Sequence, residues 1–311
     1  MPDPVTLVYD TDVAADDVIA LSFLVSAPNV DLVGITVSGT GEAHCAGGVD
    51  VVLRLLERLD ARDIPVACGR ETPLDGAHAF PDAWRTAVDT GSGLKLPTTT
   101  RSPSTSTAAE LFVVLAKEHP GLHVLATGPL TNLADALNAD PNLAGRLGPV
   151  TVMGGALHVP GNIFGPGAPE GNALAEWNVY VDPTAAQKVL DSLVDPTFVT
   201  LDATSQAPVT YDLIGRALAQ TDGPGAVILA DLFRANAWMT SGYYLWDPLA
   251  AVVAAGYDIA PISQVRIGFT TDEGSASGAM RLLTGAPNVQ VLGDVDTQTV
   301  EDALLGVLNG G

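Results

Sequence analysis

The sequence is short of cysteine, of basic residues and of long apolar runs, and each shortage excludes something. Cys45 and Cys68 are the only two cysteines in 311 residues, and they form no CxxC pair. That excludes a disulfide-rich scaffold and a zinc ribbon, and predicts two reduced, buried thiols. Lysine and arginine total 14 against 36 aspartates and glutamates, a net charge of -22. Such a chain repels nucleic-acid backbones and anionic membranes, and most of the excess acid is expected on solvated surface. No apolar run is long enough to span a bilayer. The opening MPDPVTLVYD has neither a basic n-region nor an apolar h-region, so no signal peptide is expected and a cytoplasmic protein is.

What is present is an apolar chain, 47% hydrophobic and without internal repeats, able to build a large core. Its organising stretch is VTLVYDTDVAADDVIALSFLV, residues 5–25. A β-rich run ends in a loop carrying Asp10, Asp12, Asp16 and Asp17, and a helical period starts at Val18. The four carboxylates repel one another, and a hard cation such as Ca²⁺ or Mg²⁺ would relieve that. The plainer alternative makes Asp16 a helix N-cap and the rest solvated loop.

Strand-like and helix-like segments then alternate. Strands are predicted at 30–38, 64–68, 122–126, 149–153, 197–201, 261–269, 279–284 and 289–293. Helices are predicted near 43–60, 108–118, 210–219, 224–240 and 296–308, and TGPLTN (127–132) is expected to turn into a helix through about Leu137. Asp182 followed by Pro183, and Asp247 followed by Pro248, read as helix starts. The alternation predicts an α/β fold: one domain spanning 1–311, with a mixed, mainly parallel, twisted sheet flanked by helices. Two long Gly/Pro-rich stretches, 69–106 and 154–178, read as functional loops. The first holds FPDAWR, in which Trp84 either staples the loop to the body or lines a site.

Parallel sheets gather strand-to-helix junctions along one edge. Here those junctions carry Asp12, Asp16 and Asp17, then Thr127 and Asn132, then Asp247, with Glu176 and Asn178 in an edge loop. The expected product is an oxygen-lined pocket with a hard metal, hydroxyl-binding side chains and aromatic walls, suited to a sugar bearing a planar ring. A carboxylate there can act as general base, and carboxylates stabilise an oxocarbenium-like sugar. The histidines His44, His78, His119, His123 and His158 lie away from the acidic junctions in sequence. Only His158 falls in an edge loop.

DTDVAADD (10–17) resembles the DxDxxxDD cluster that opens the nucleoside hydrolases. The resemblance continues in family order through ATGPLTNLADAL (126–137), VMGGA (152–156), PGN (160–162), AEWNVYVDP (175–183) and WDPLAAVVA (246–254). It implies Ca²⁺-dependent cleavage of the N-glycosidic bond of small-molecule ribonucleosides, giving ribose and free base, by a homodimer or homotetramer. By the same resemblance, Asp12, Asp17 and Asp247 would ligate Ca²⁺ with the main-chain carbonyl of Thr127, and Asp10 would support them from behind. Asp16 would be general base on a calcium-bound water. Asn162, Glu176, Asn178 and Met153 would hold the ribose.

Many family members have His before the last aspartate, as acid for the leaving base; here it is Trp246. An indole cannot titrate usefully. Trp246 and the segments FPDAWR, AEWNVY, TLDAT (200–204) and GYYLWD (242–247) resemble the purine-specific inosine-adenosine-guanosine branch. That resemblance implies a purine sandwiched between Trp84 and Trp246. Ala14 stands where that branch has a polar residue, and SGTGEAH (38–44) lacks the usual Asn or Asp after its strand, leaving Thr40 or Glu42 as stand-ins.

Two rivals use the same residues differently. In a haloacid-dehalogenase-like phosphatase Asp10 would be the nucleophile, Asp12 the acid/base and Mg²⁺ the metal, but none of Lys95, Lys117 and Lys188 sits at a strand end. A calcium-dependent nucleoside or sugar binder would keep the pocket without turnover.

Overall fold

Leu7, Val8 and Tyr9 are fully buried along the first strand, so apolar or aromatic side chains cover both of its faces. That is the pattern of a central strand between two helical layers. The computed structural model describes residues 2–310. Its strands are β1 Val5–Thr11, β2 Val30–Val37, β3 Val66–Cys68, β4 Leu122–Ala126, β5 Leu147–Met153, β6 Thr197–Val199, β7 Ile262–Val265, β8 Ile267–Phe269, β9 Met280–Leu282 and β10 Val289–Leu292. Eight of them form one sheet in the order β3-β2-β1-β4-β5-β6-β10-β7. Every pairing in it is parallel except β10 with β7. This is the mixed, mainly parallel sheet that the alternation predicts.

The core divides across the sheet. Leu7 and Tyr9 face a layer that includes helices Ala15–Ser26, Cys45–Arg58, Pro224–Ala235, Trp246–Ala254 and Thr297–Leu308. Val8 faces the layer of helices Ala108–Glu118, Thr131–Ala139 and Pro183–Ser192. The strand order reverses at β1, with β2 on one side and β4 on the other. Ligands bind outside the carboxyl ends of strands at such a switch point.

Several local expectations change. Residues 69–106 hold a short helix, Asp82–Asp89, which buries only Arg85 and Val88. The helix expected over 224–240 stops at Ala235, and Ala237–Ser241 forms a 3₁₀ turn. The strand expected over 261–269 is two strands: β7 stays in the sheet, while β8 pairs with β9 in a separate antiparallel ribbon. Asp182 does cap its helix, accepting from Ala185 N–H at 2.9 Å, with Pro183 at the first position. Asp247 does not cap; it lies inside helix Trp246–Ala254, whose N-cap is Leu245. Among the described residues, no helix is long and apolar enough to cross a membrane.

The expectation of two reduced thiols is overturned: Cys45 and Cys68 form a disulfide with Cα atoms 5.6 Å apart. The bridge ties the first residue of helix Cys45–Arg58 to the last residue of β3. Sequence spacing hid it because Cys68 ends β3 and Cys45 opens the helix after β2, strands that lie side by side only in the folded sheet. Closing a 23-residue separation restricts the unfolded chain by about 3 kcal/mol in the chain-entropy account. Thermal unfolding with and without a phosphine reductant checks this; a lower midpoint in reductant, absent from a Cys45→Ser/Cys68→Ser variant, is expected.

Candidate active site

The acidic loop begins where β1 stops. Val13 adopts φ 67, a left-handed conformation that is costly for a β-branched residue. Its N–H donates to Thr11 Oγ1 at 3.0 Å, and its side chain is buried. The loop thus turns sharply and starts helix Ala15–Ser26 at Ala14, which supplies no side-chain cap. Asp17, at the third helical position, accepts the Ala14 N–H at 2.8 Å instead. The plain reading of Asp16 as N-cap is therefore incorrect.

Asp17 is the most committed carboxylate. Its Oδ1 accepts from Tyr9 Oη at 2.7 Å and from Thr11 Oγ1 and Thr127 Oγ1, each at 2.6 Å. Asp16 Oδ1 accepts from Tyr243 Oη at 2.6 Å, and its Oδ2 faces the Asp247 N–H at 3.4 Å. Asp12 Oδ2 accepts from the Glu42 N–H at 3.0 Å. Asp10 lies behind them, its Oδ1 held by Thr36 Oγ1 and Asn132 Nδ2, each at 2.7 Å. Two glycines let neighbouring loops close on this group. A β-carbon on Gly41 would fall 2.1 Å from Asp12 Cβ, and one on Gly128 would fall 2.9 Å from it.

Asp16, Asp17 and Asp247 each present an oxygen within 4.8 Å of the others, and all three are buried. Asp12 is not in that trio but shares the cavity wall with Asp16, Thr127 and Asp247. Burial pushes Asp12 and Asp247 well above the usual carboxylate range, with Asp17 adding repulsion on Asp12 and Asp16 on Asp247. Burial also raises Asp16 to about 6 and Asp10 to about 7. Glu42 rises to about 8, from burial and then the Asp16 and Asp17 charges. Among the described residues, no lysine, arginine or histidine lines the cavity. Crowded, dehydrated carboxylates without a cationic neighbour fit a hard divalent cation, whose charge would reverse these shifts.

The cavity holds about 660 Å³. Met153, Asn162, Glu176 and Asn178 line it from β5 and the long loop that follows. Glu176 accepts from the N–H groups of Asn178 at 2.8 Å, Gly155 at 3.1 Å and Val179 at 3.2 Å. Burial outweighs those bonds and holds it near about 7. Asn178 Nδ2 donates to the Thr127 carbonyl at 2.8 Å, joining the sugar side of the expected site to the metal side. Asn162 Oδ1 accepts from the Trp177 N–H at 3.0 Å, leaving its amide N–H groups for a ligand.

Trp84 and Trp246 both line the cavity, from helices far apart in sequence. Trp84 also packs on Phe80 and edge-on against Trp177 at 5.4 Å, so it staples its loop and faces the pocket. His158 is exposed and bonded to Asp202, outside the cavity lining. Glu42, one of the two stand-ins offered for the missing Asn or Asp, lines the cavity, whereas the sequence assigned no role to Tyr243 or to the hydroxyls of Tyr9 and Thr11. Only Tyr243, inside GYYLWD, left a signal there.

The model of the family described as "Inosine-uridine preferring nucleoside hydrolase" matches residues 7–302. The pyrimidine-specific ribonucleoside hydrolase RihA of Citrobacter koseri is 30% identical, over 96% of each chain. A probable uridine nucleosidase 1 of Oryza sativa is 31% identical over 78% of this chain and 74% of its own. Among solved structures, the plant nucleoside hydrolase PpNRh1 superimposes with a TM-score of 0.86 at 27% identity, covering 99% of this chain and 100% of that one. A purine-preferring ribonucleoside hydrolase of Gardnerella vaginalis gives 0.83 at 25%, covering 98% of each.

Proposed function

The chain belongs to the inosine-uridine preferring nucleoside hydrolase family and is a ribonucleoside N-ribohydrolase, and on that premise we propose that it depends on calcium and prefers purine nucleosides. The observation that carries the reading is the buried carboxylate group at the β1–β4 switch point, walled by Trp84 and Trp246 and free of cationic side chains.

Asp12, Asp17 and Asp247 would hold Ca²⁺ together with the Thr127 carbonyl, and Asp10 would support them from behind. Held there, the ion would supply Lewis acidity for a water and for the ribose hydroxyls. Asn162, Glu176 and Asn178 would take the ribose hydroxyls, with Met153 beneath the ring. Carboxylates on one side of the sugar stabilise positive charge as the glycosidic bond breaks. Asp16 would accept the proton of the attacking water. Asp12 is the second candidate, because Glu42 N–H is the one hydrogen-bond donor to its carboxylate among the described residues.

Among the described residues no histidine lines the cavity, and solvent would protonate the leaving base. Stacking between Trp84 and Trp246 favours the larger purine ring and holds it, at about 1 kcal/mol per aromatic pair. Ribose release from inosine and from uridine, side by side with calcium, tests this. Faster inosine cleavage, falling about tenfold or more in kcat/KM in Trp84→Ala, is expected. Equal cleavage of the two, or the uridine preference that RihA's name would suggest, removes the purine sandwich and keeps the hydrolase. We also propose a cytoplasmic homodimer or homotetramer, checked by cell fractionation and light scattering.

A further inference from the structure

We propose that Tyr243 is a positioning residue: its hydroxyl locks Asp16 and makes the orientation of that carboxylate depend on the aromatic wall of the cavity. The proposal rests on the ribonucleoside reading above. Helix Ala15–Ser26 starts without a side-chain cap, so the N–H groups of its first turn need partners from elsewhere. Tyr243 provides one from 227 positions away, accepting the Asp16 N–H on its hydroxyl at 3.2 Å. The same hydroxyl donates to Asp16 Oδ1 at 2.6 Å. Asp16 is therefore gripped by main chain and side chain through a single oxygen atom.

The tyrosine itself is well anchored. Its N–H donates to the Met239 carbonyl at 3.0 Å, and its carbonyl accepts from Val209 N–H at 2.8 Å. Its ring meets Trp246 edge-on at 4.7 Å and Trp238 edge-on at 5.3 Å. Asp16 Oδ2 meanwhile faces the N–H of Asp247, the residue after Trp246. Both contacts that orient Asp16 thus come from the segment that carries the stacking indole. A base pressing on Trp246 reaches Asp16 through one ring and one hydroxyl.

Tyr243→Phe keeps the ring and removes the grip. On the nucleoside that the original protein cleaves best, kcat is expected to fall about 10- to 100-fold, the scale of a misplaced reacting group. KM and calcium affinity by calorimetry should stay within about threefold. In a double-mutant cycle with Trp246→Ala, the combined loss should be smaller than the product of the single losses, because both break one path. An unchanged kcat, or a raised KM with kcat intact, overturns the proposal by making Tyr243 a wall residue only. Multiplicative losses overturn the link to the wall. Ribose from the original protein separates these outcomes from failure of the parent reading; no ribose overturns both.

Discussion

Asp16→Asn is expected to lower kcat for ribose release by about a thousandfold while calcium affinity changes little. General-base catalysis contributes roughly 10²–10⁴-fold, and asparagine keeps the size and hydrogen-bonding reach of the side chain while losing its basicity. Tyr243 Oη can still donate to the amide oxygen, so the local fold should survive. Asp12→Asn is the necessary companion, since Asp12 shares the cavity wall. As a ligand, Asp12 should lose calcium affinity, and its kcat should recover at saturating calcium. If instead Asp12→Asn is inert at saturating calcium and Asp16→Asn is active, the two roles are exchanged. Calorimetric titration of calcium beside initial rates reads both quantities on each variant.

Removing calcium with a chelator is expected to abolish turnover and to lower the unfolding temperature, with both restored by added calcium. Asp12, Asp16, Asp17 and Asp247 are buried together, and burial and mutual repulsion raise Asp12, Asp16 and Asp247. An ion that binds only the folded chain stabilises it by about 4 kcal/mol at a thousand times its Kd. For a chain of this size that is a shift of roughly 6 °C. Magnesium at equal concentration should restore less, because it demands a compact octahedron and sheds water reluctantly. A midpoint indifferent to chelator would mean that the carboxylates are held by protons rather than by a cation.

Much of this was legible in the sequence where chemistry and position coincide. The strand-to-helix change across Asp10–Asp17 marks a carboxyl end, and alternating elements imply a parallel sheet; together they place Asp12, Thr127 and Asp247 on one edge. Side-chain commitments were not legible, because they depend on how the loop turns and on partners as far as Thr127 and Tyr243, more than a hundred residues away. Asp17 looks like any acidic neighbour until Thr127 and Tyr9 are seen to spend its Oδ1. Helix Asp82–Asp89 escaped because two turns burying Arg85 and Val88 give too little periodicity. The split between β7 and β8 escaped because nothing in ISQVRIGF interrupts the strand-like run. The disulfide needed the β2–β3 pairing, which spacing alone does not reveal.

The cavity walls bear acids, aromatics and amides but no lysine or arginine, in a chain of net charge -22. Beyond the calcium proposed at the carboxylates, a phosphate on the sugar would find no guanidinium or ammonium among the described residues to offset its dehydration. Side chains of this kind fit a neutral nucleoside better than its phosphate ester.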